Sequence, residues 1–294
     1  MNQPTLSRRT LLSLPALALA IGPLPLGAAP AGADVPTCLG APATIVGTAD
    51  DDDLYGTDGP DVIWAGAGRD RVHGYGGDDR IFLGEADDPL PVPPEGGDIG
   101  FLGDFASGGR GADEIVGGPG SNYLAGGEGR DELWLTPVPG QHRFAVEGRT
   151  ARGGPGDDVV HGTDDADSLY GGRGDDQVVG DADDDRLVGG PGDDDLAAGD
   201  GNDVVNGVDG DDNLAGGPGD DRMFGDHWRY GDLPDRSGDD ELLGGDGDDL
   251  LWGMGGTDTV DGGTGQDGCY SPGVGQGGSR DCEHDLAPAE HHYS

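Results

Sequence analysis

Lysine is absent from the 294-residue chain; its sixteen basic side chains are all arginine, set against 59 aspartates and glutamates. The resulting net charge of −43 excludes direct binding to nucleic acid or to an anionic membrane surface, both of which need basic patches. Without lysine there is no Schiff-base chemistry. Aromatic residues make up 5% of the chain and hydrophobic residues 33%, too little to build the core of an ordinary globular domain of this length. The sequence contains no H-E-x-x-H and no G-x-S-x-G motif. Paired carboxylates occur everywhere, so they carry no information about glycosidase chemistry. A catalytic role is not expected.

Glycine and aspartate are what the chain has in abundance, and they are periodic. The stretch Gly153–Phe224 divides into eight nine-residue units, each with Gly or Ala at position 1, Gly or Asp at position 4, Asp at position 6 and an apolar residue at position 8. Small residues at positions 1, 2 and 4 tolerate positive φ and close backbone approach, so the first six positions read as a turn. The position-4 exceptions Asp50, Asp165 and Asp183 are expected to share that conformation. The last three positions read as a short strand with one inward side chain. Two such units make one coil, and stacked coils give two parallel sheets around a thin aliphatic core. Stacking also places like carboxylates above one another at about the strand spacing of 4.8 Å, which is unfavourable unless a cation lies between them. Carboxylates and backbone carbonyls together suit Ca²⁺ better than Mg²⁺, which needs a tighter octahedron, or zinc, which favours His and Cys.

The units resemble the G-G-x-G-x-D-x-U-x nonapeptide of the RTX, or haemolysin-type, calcium-binding repeat family. Gly189–Ala197 (GGPGDDDLA) and Gly216–Phe224 (GGPGDDRMF) are near-perfect copies. The resemblance implies an all-β fold, a parallel β-roll that is a right-handed solenoid with two repeats per coil, binding multiple Ca²⁺ ions. Four units begin at 47, 56, 65 and 74, with position-6 residues Asp52, Asp61, Asp70 and Asp79. Three more begin at 108, 117 and 126, with Asp113, Asn122 and Asp131; Asn122 makes its site weaker by one charge. The eight-unit block supplies Asp158, Asp167, Asp176, Asp185, Asp194, Asp203, Asp212 and Asp221. A unit starting at Gly225 supplies Asp240, and the last three supply Asp249, Asp258 and Asp267. These nineteen side chains are the expected metal ligands, completed by turn carbonyls. The first unit, GTADDDDLY, reads as a degenerate terminal repeat.

Three insertions interrupt the pattern at 83–107, 135–152 and 227–237. The first reads as a loop that leaves the roll and returns, Ile99, Phe101, Leu102 and Phe105 packing on it; the second is a further loop insertion, and the third swells a single turn. The roll is expected over 47–270, preceded by a lead-in at 34–46, whose Thr44–Val46 makes a first strand, and followed by a cap and tail at 271–294. Cys269 and Cys282 are expected to close that cap as a disulfide, leaving Cys38 over.

Residues 1–33 read as an export signal. Ser7-Arg8-Arg9-Thr10-Leu11-Leu12 precedes an apolar run to Leu26 and the small residues Ala31-Gly32-Ala33. The segment resembles a twin-arginine signal, with an ordinary secretory signal as the alternative. Either places the remaining chain outside the cytoplasm, where calcium is plentiful, with no membrane span. The functional expectation is a secreted calcium-binding protein with a structural or surface-binding role, meeting any cell-surface, matrix or protein partner through the inserted loops. The alternative is a calcium-stabilised accessory or secretion-type module of an RTX enzyme or toxin system.

Overall fold

The computed structural model describes residues 36–38, 40–84, 104–119, 122–136, 149–226 and 238–270, with 282 and 284–285. Residues 1–33, expected to be an export signal, the insertion at 227–237 with its His227, Trp228 and Tyr230, and Ile99, Phe101 and Leu102 lie outside the described residues.

Parallel stacking follows directly from the nine-residue period. Each strand pairs with the strand two units on, at the same position in the unit. Leu169 faces Leu187 in one sheet and Val178 faces Leu196 in the other. Repetition of this step builds a twelve-stranded and an eleven-stranded parallel sheet, a β-solenoid of about ten coils with no helix among the described residues. Ile45–Val46 opens the eleven-stranded sheet by pairing with Ile63 and Trp64. Ahead of it, Thr37–Cys38 and Ala41–Pro42 form a small antiparallel hairpin. At the far end His284–Asp285 adds a strand beside Gly268 and Cys269, and a disulfide joins Cys269 to Cys282.

The core is one residue wide. Position 8 points inward in every coil, and from Ile63 through Leu133, Val178 and Met223 to Cys269 these side chains are buried. Fully burying one Val, Leu or Ile stabilises by about 1.5–3 kcal/mol, and here nine ordered residues share a single such side chain. The remaining cohesion has to come from between the coils.

Most strands are longer than the three residues expected. Asn213–Pro218 (NLAGGP) buries both Leu214 and Gly216, so the strand runs on through positions 1 to 3 of the next unit. Its ladder continues through Gly217 opposite Gly245 and Pro218 opposite Asp246. Position 1 faces inward like position 8, and glycine there leaves the ladder unobstructed.

Two of the insertions are also smaller than the sequence suggests. Phe105–Arg110 is a strand whose Phe105, Ala106 and Ser107 pair with Arg71, Val72 and His73, and it places Asp104 at position 6 and Ala106 at position 8. Arg149–Pro155 is a strand in which Arg149 faces Asp167, the position-6 residue of the coil above, and Ala151 faces Leu169. The stretches 83–107 and 135–152 therefore each take the place of one unit, beginning at the buried Leu83 and Leu135 and rejoining the frame at Asp104 and Arg149. Both begin and end in the register of the stack. Phe105 does turn outward and packs on the roll, its ring stacking on Tyr123 with centroids 5.6 Å apart.

Position 2 adopts positive φ in most described units even where it is not glycine, at Tyr75, Asp181, Met254 and Val208, the last with φ 108°. A β-branched residue is strained in that region by roughly 1–3 kcal/mol. Val208→Gly is expected to raise the melting temperature of the calcium-loaded chain, by the equivalent of about 1 kcal/mol after the extra chain entropy of glycine is subtracted. Thermal melts of the two chains check this.

Candidate metal centre

The position-6 carboxylates form two columns, one at the entry to each sheet. Within a column the carboxylate of each coil reaches back to the coil before it. Asp194 Oδ1 accepts the backbone N–H of Asp176 at 2.8 Å, and Asp212 Oδ1 that of Asp194 at 2.9 Å. The column leading into the eleven-stranded sheet is continuous through Asp61, Asp79, Asp113, Asp131, Asp158, Asp176, Asp194, Asp212, Asp240 and Asp258. The other runs Asp52, Asp70, Asp104, Asn122, then resumes at Asp167, Asp185, Asp203, Asp221, Asp249 and Asp267. Asp104 is a member that the sequence pattern missed. Counting back nine residues from Gly108 would have found it.

The second carboxylate oxygen has a different environment. Oδ2 of Asp79, Asp113, Asp131, Asp158, Asp176, Asp185, Asp194, Asp203, Asp212, Asp221, Asp240, Asp249 and Asp267 is buried, with no hydrogen-bond partner among the described residues. It faces position 1 of its own unit. A Cβ built on Gly153 would strike Asp158 Oδ2 and, 2.6 Å away, the carbonyl oxygen of Gly171 in the next coil. The same pairing recurs at Gly216 with Asp221 and Gly244, and at Gly225 with Asp240 and Gly253. Position 1 is thus glycine for space, since no positive φ occurs at Gly153, Gly216 or Gly225. The space it leaves is walled by an anionic oxygen and a carbonyl oxygen from successive coils. An all-oxygen setting of this kind suits a hard divalent cation. Among the described residues no three His, Cys, Asp or Glu side chains converge as a zinc cluster would.

Burial makes these carboxyls resist ionisation. It pushes Asp176 and Asp185 up to about 8, and Asp240 likewise to about 8, with neighbouring carboxylates adding to the effect. Asp212 rises to about 9 through burial first and then the charges of Asp240, Asp194 and Asp226. At neutral pH such a group needs either a proton or a cation.

Three units solve the problem internally. In the units starting at 47, 56 and 162 a threonine stands at position 2 and gives both its N–H and its hydroxyl to the position-6 Oδ2. Thr57 does so to Asp61 at 2.6 and 2.9 Å, and Thr163 to Asp167 at 2.8 and 3.0 Å. The unit GTADDDDLY is therefore not a decayed end repeat: Thr48 and Asp52 show the same arrangement, and it recurs mid-chain. The threonine hydroxyl also accepts the N–H of Asp50 or Asp165 at position 4. That closes the turn without positive φ, so of the three position-4 aspartates only Asp183, with φ 72°, adopts it.

Position 5 takes part as well, which the repeat pattern alone did not reveal. Its exposed carboxylates run the opposite way: Asp175 Oδ1 accepts the N–H of Asp193 in the following coil, and Asp193 Oδ1 that of Asp211. From Asp175 to Gln266, coil junctions are thus stitched in both directions.

The profile of the RTX calcium-binding nonapeptide repeat, four copies long, matches residues 46–81, 55–88, 100–133, 152–187, 179–214, 188–223 and 236–268, more than half of the chain. The chain belongs to the RTX repeat family. Its nonapeptides are calcium-binding, in multiple copies, and Ca²⁺ is the cation to which the oxygen-walled spaces correspond. The second match ends at 88 and the third starts at 100, so the RTX pattern reaches both ends of the first insertion. No curated protein matches this RTX chain.

Proposed function

We propose that this RTX chain is an exported, non-catalytic protein whose β-roll assembles on Ca²⁺, with the position-6 carboxylates as anchoring ligands. The observation that carries the reading is the unpartnered, buried Oδ2 facing a carbonyl of the next coil in unit after unit. A bound Ca²⁺ supplies the positive charge that lets these groups ionise inside the stack. The ligands exist as pairs only when two coils are stacked, so the cation favours the folded chain over the open one, and calcium concentration drives folding. Asp104 joins the nineteen residues read from the repeats as a position-6 carboxylate, while Asp52, Asp61 and Asp167, already served by threonine, are the weaker ligands. We assign partner contacts to the inserted segments, since each departs from a turn and can vary in sequence without disturbing the stack.

Circular dichroism titrated with Ca²⁺, with Mg²⁺ as control, tests this at pH 8. The expected result is a cooperative gain of β signal with calcium and little with magnesium. A β spectrum already complete in chelator and unchanged by calcium would remove the linkage. The same titration on a chain lacking 85–103, 137–148 and 227–237 should retain calcium-dependent folding while losing any cell-surface binding. Loss of both would move recognition from the loops to the roll.

A further inference from the structure

One buried cation belongs to the chain itself. Arg149 is 2% exposed and stands at position 6, in register with Asp167, where the column calls for a carboxylate. Two of its three nitrogens make hydrogen bonds, and the third faces a carboxylate. Nη1 donates to Thr163 Oγ1 at 2.8 Å, Nη2 pairs with the Asp165 carboxylate, and Nε lies 3.7 Å from Asp167 Oδ1. Asp167 Oδ2 is held by Thr163, while its buried Oδ1, which has no hydrogen bond, faces the guanidinium, so the positive charge at this coil junction comes from the chain itself. Arginine has no acceptor. The ladder of the column accordingly ends where Asn122 Oδ1 takes the N–H of Asp104 and restarts where Asp185 Oδ1 takes that of Asp167.

The surroundings match. Position 1 of the Arg149 unit is not glycine but Leu135, which is buried and occupies the inward space left open elsewhere. One coil earlier Asn122 replaces the carboxylate, and its Nδ2 donates to the Gly118 carbonyl. One coil before that, position 1 is the buried Leu83. Three successive coils on this side therefore lack the glycine-plus-carboxylate cradle, while the opposite column is uninterrupted.

We propose that Arg149 is a resident counter-ion that holds its coil to the next one without metal, leaving a calcium-independent staple in the middle of the roll. The column beside the twelve-stranded sheet is then filled by Ca²⁺ as two separate sets, one on each side of the staple. The inference rests on the calcium reading of the other coils, and the experiment separates the two.

Hydrogen exchange read by mass spectrometry on the whole chain at pH 8, in chelator and in calcium, is the test. In chelator, residues 149–170 should exchange at least about tenfold more slowly than residues 203–226, where Oδ2 of Asp203, Asp212 and Asp221 is buried without a hydrogen-bond partner. Arg149→Gln should abolish that difference in chelator while leaving residues 203–226 unchanged. If 149–170 exchanges as fast as 203–226 in the unmodified chain in chelator, the staple does not exist. If the entire chain is protected in chelator, metal-driven folding is wrong, and the staple is then judged by the glutamine variant alone: selective loss at 149–170 upholds it and no change overturns it.

Discussion

In chelator, lowering the pH from 8 to 5 will fold the chain, and in calcium the same change will loosen it. The buried position-6 carboxyls have folded-state values raised above the ordinary 3.8, to about 6 for Asp79 and Asp113, about 7 for Asp131, and about 8 for Asp176 and Asp185. A raised carboxyl binds its proton more tightly in the folded state. Its contribution to stability is complete below the unfolded value near 4 and is lost as pH rises through the folded value, here between about 6 and 9. Without metal, the roll therefore gains stability on acidification through that window, and relief of the overall −43 charge acts in the same direction. With calcium the sign reverses, because protons and cations compete for the same oxygens and affinity falls as pH drops. Thermal melts or the β signal at pH 5, 6, 7 and 8, with and without chelator, measure both slopes. Working at pH 5 and above keeps the protein clear of its isoelectric point near 4.1. Slopes of the same sign in the two conditions would sink the idea that these carboxylates exchange a proton for a metal.

Replacing one ligand should have opposite effects under the same two conditions. Asp212→Asn removes the charge that burial and three neighbouring aspartates resist most strongly. An asparagine Oδ1 can still accept the Asp194 N–H, and its Nδ2 can donate to the Gly225 carbonyl that faces this spot. Asn122 already does both with the N–H of Asp104 and the carbonyl of Gly118. In chelator the variant is expected to be more stable than the parent. The roughly three pH units between the ordinary value and pH 7, at about 1.4 kcal/mol each, set a ceiling of about 4 kcal/mol on the gain. Its pH midpoint for folding in chelator should move upward. In calcium the variant should be less stable and bind fewer ions, because an amide has no charge to offer. A variant that is weaker in both conditions would show the carboxylate to be needed for hydrogen bonding alone.

Much of this could be read from residue order, since one nonapeptide obliges its neighbours to repeat its geometry. Position 8 is inward because it is the apolar centre of the strand, and position 6 is the turn carboxylate that recurs. What hid Asp104 and Arg149 was the length of the turns before them. A turn can swell without moving the strands, so the frame is recovered by counting back from the next glycine, not forward from the last. Threonine at position 2 looked like decay, because its value lies in a contact to Asp52, Asp61 or Asp167 four residues on. The reason for glycine at position 1 was equally invisible, being the room needed between two oxygens of different coils rather than a backbone angle. Arg149 ran against the composition itself: in a chain so acidic, sixteen arginines suggest surface pairs such as Arg69 with Asp51, and only the register placed one of them inside.

The two side-chain ladders also give the solenoid distinguishable ends. Each new coil offers a position-6 carboxylate to the N–H waiting below it, and donates its own position-5 N–H to a carboxylate already there, as Asp194 with Asp212 and Asp193 with Asp175 illustrate. A bare leading rim would thus be the exact complement of a bare trailing rim. Copies with both rims open could join head to tail without limit, since such a contact never closes on itself. At the trailing rim His284–Asp285, beside the Cys269–Cys282 bond, covers the last strand of the twelve-stranded sheet. A covering strand of this kind leaves that edge with nothing to pair, which is how a self-templating stack can end as a molecule of fixed length rather than grow into a fibre.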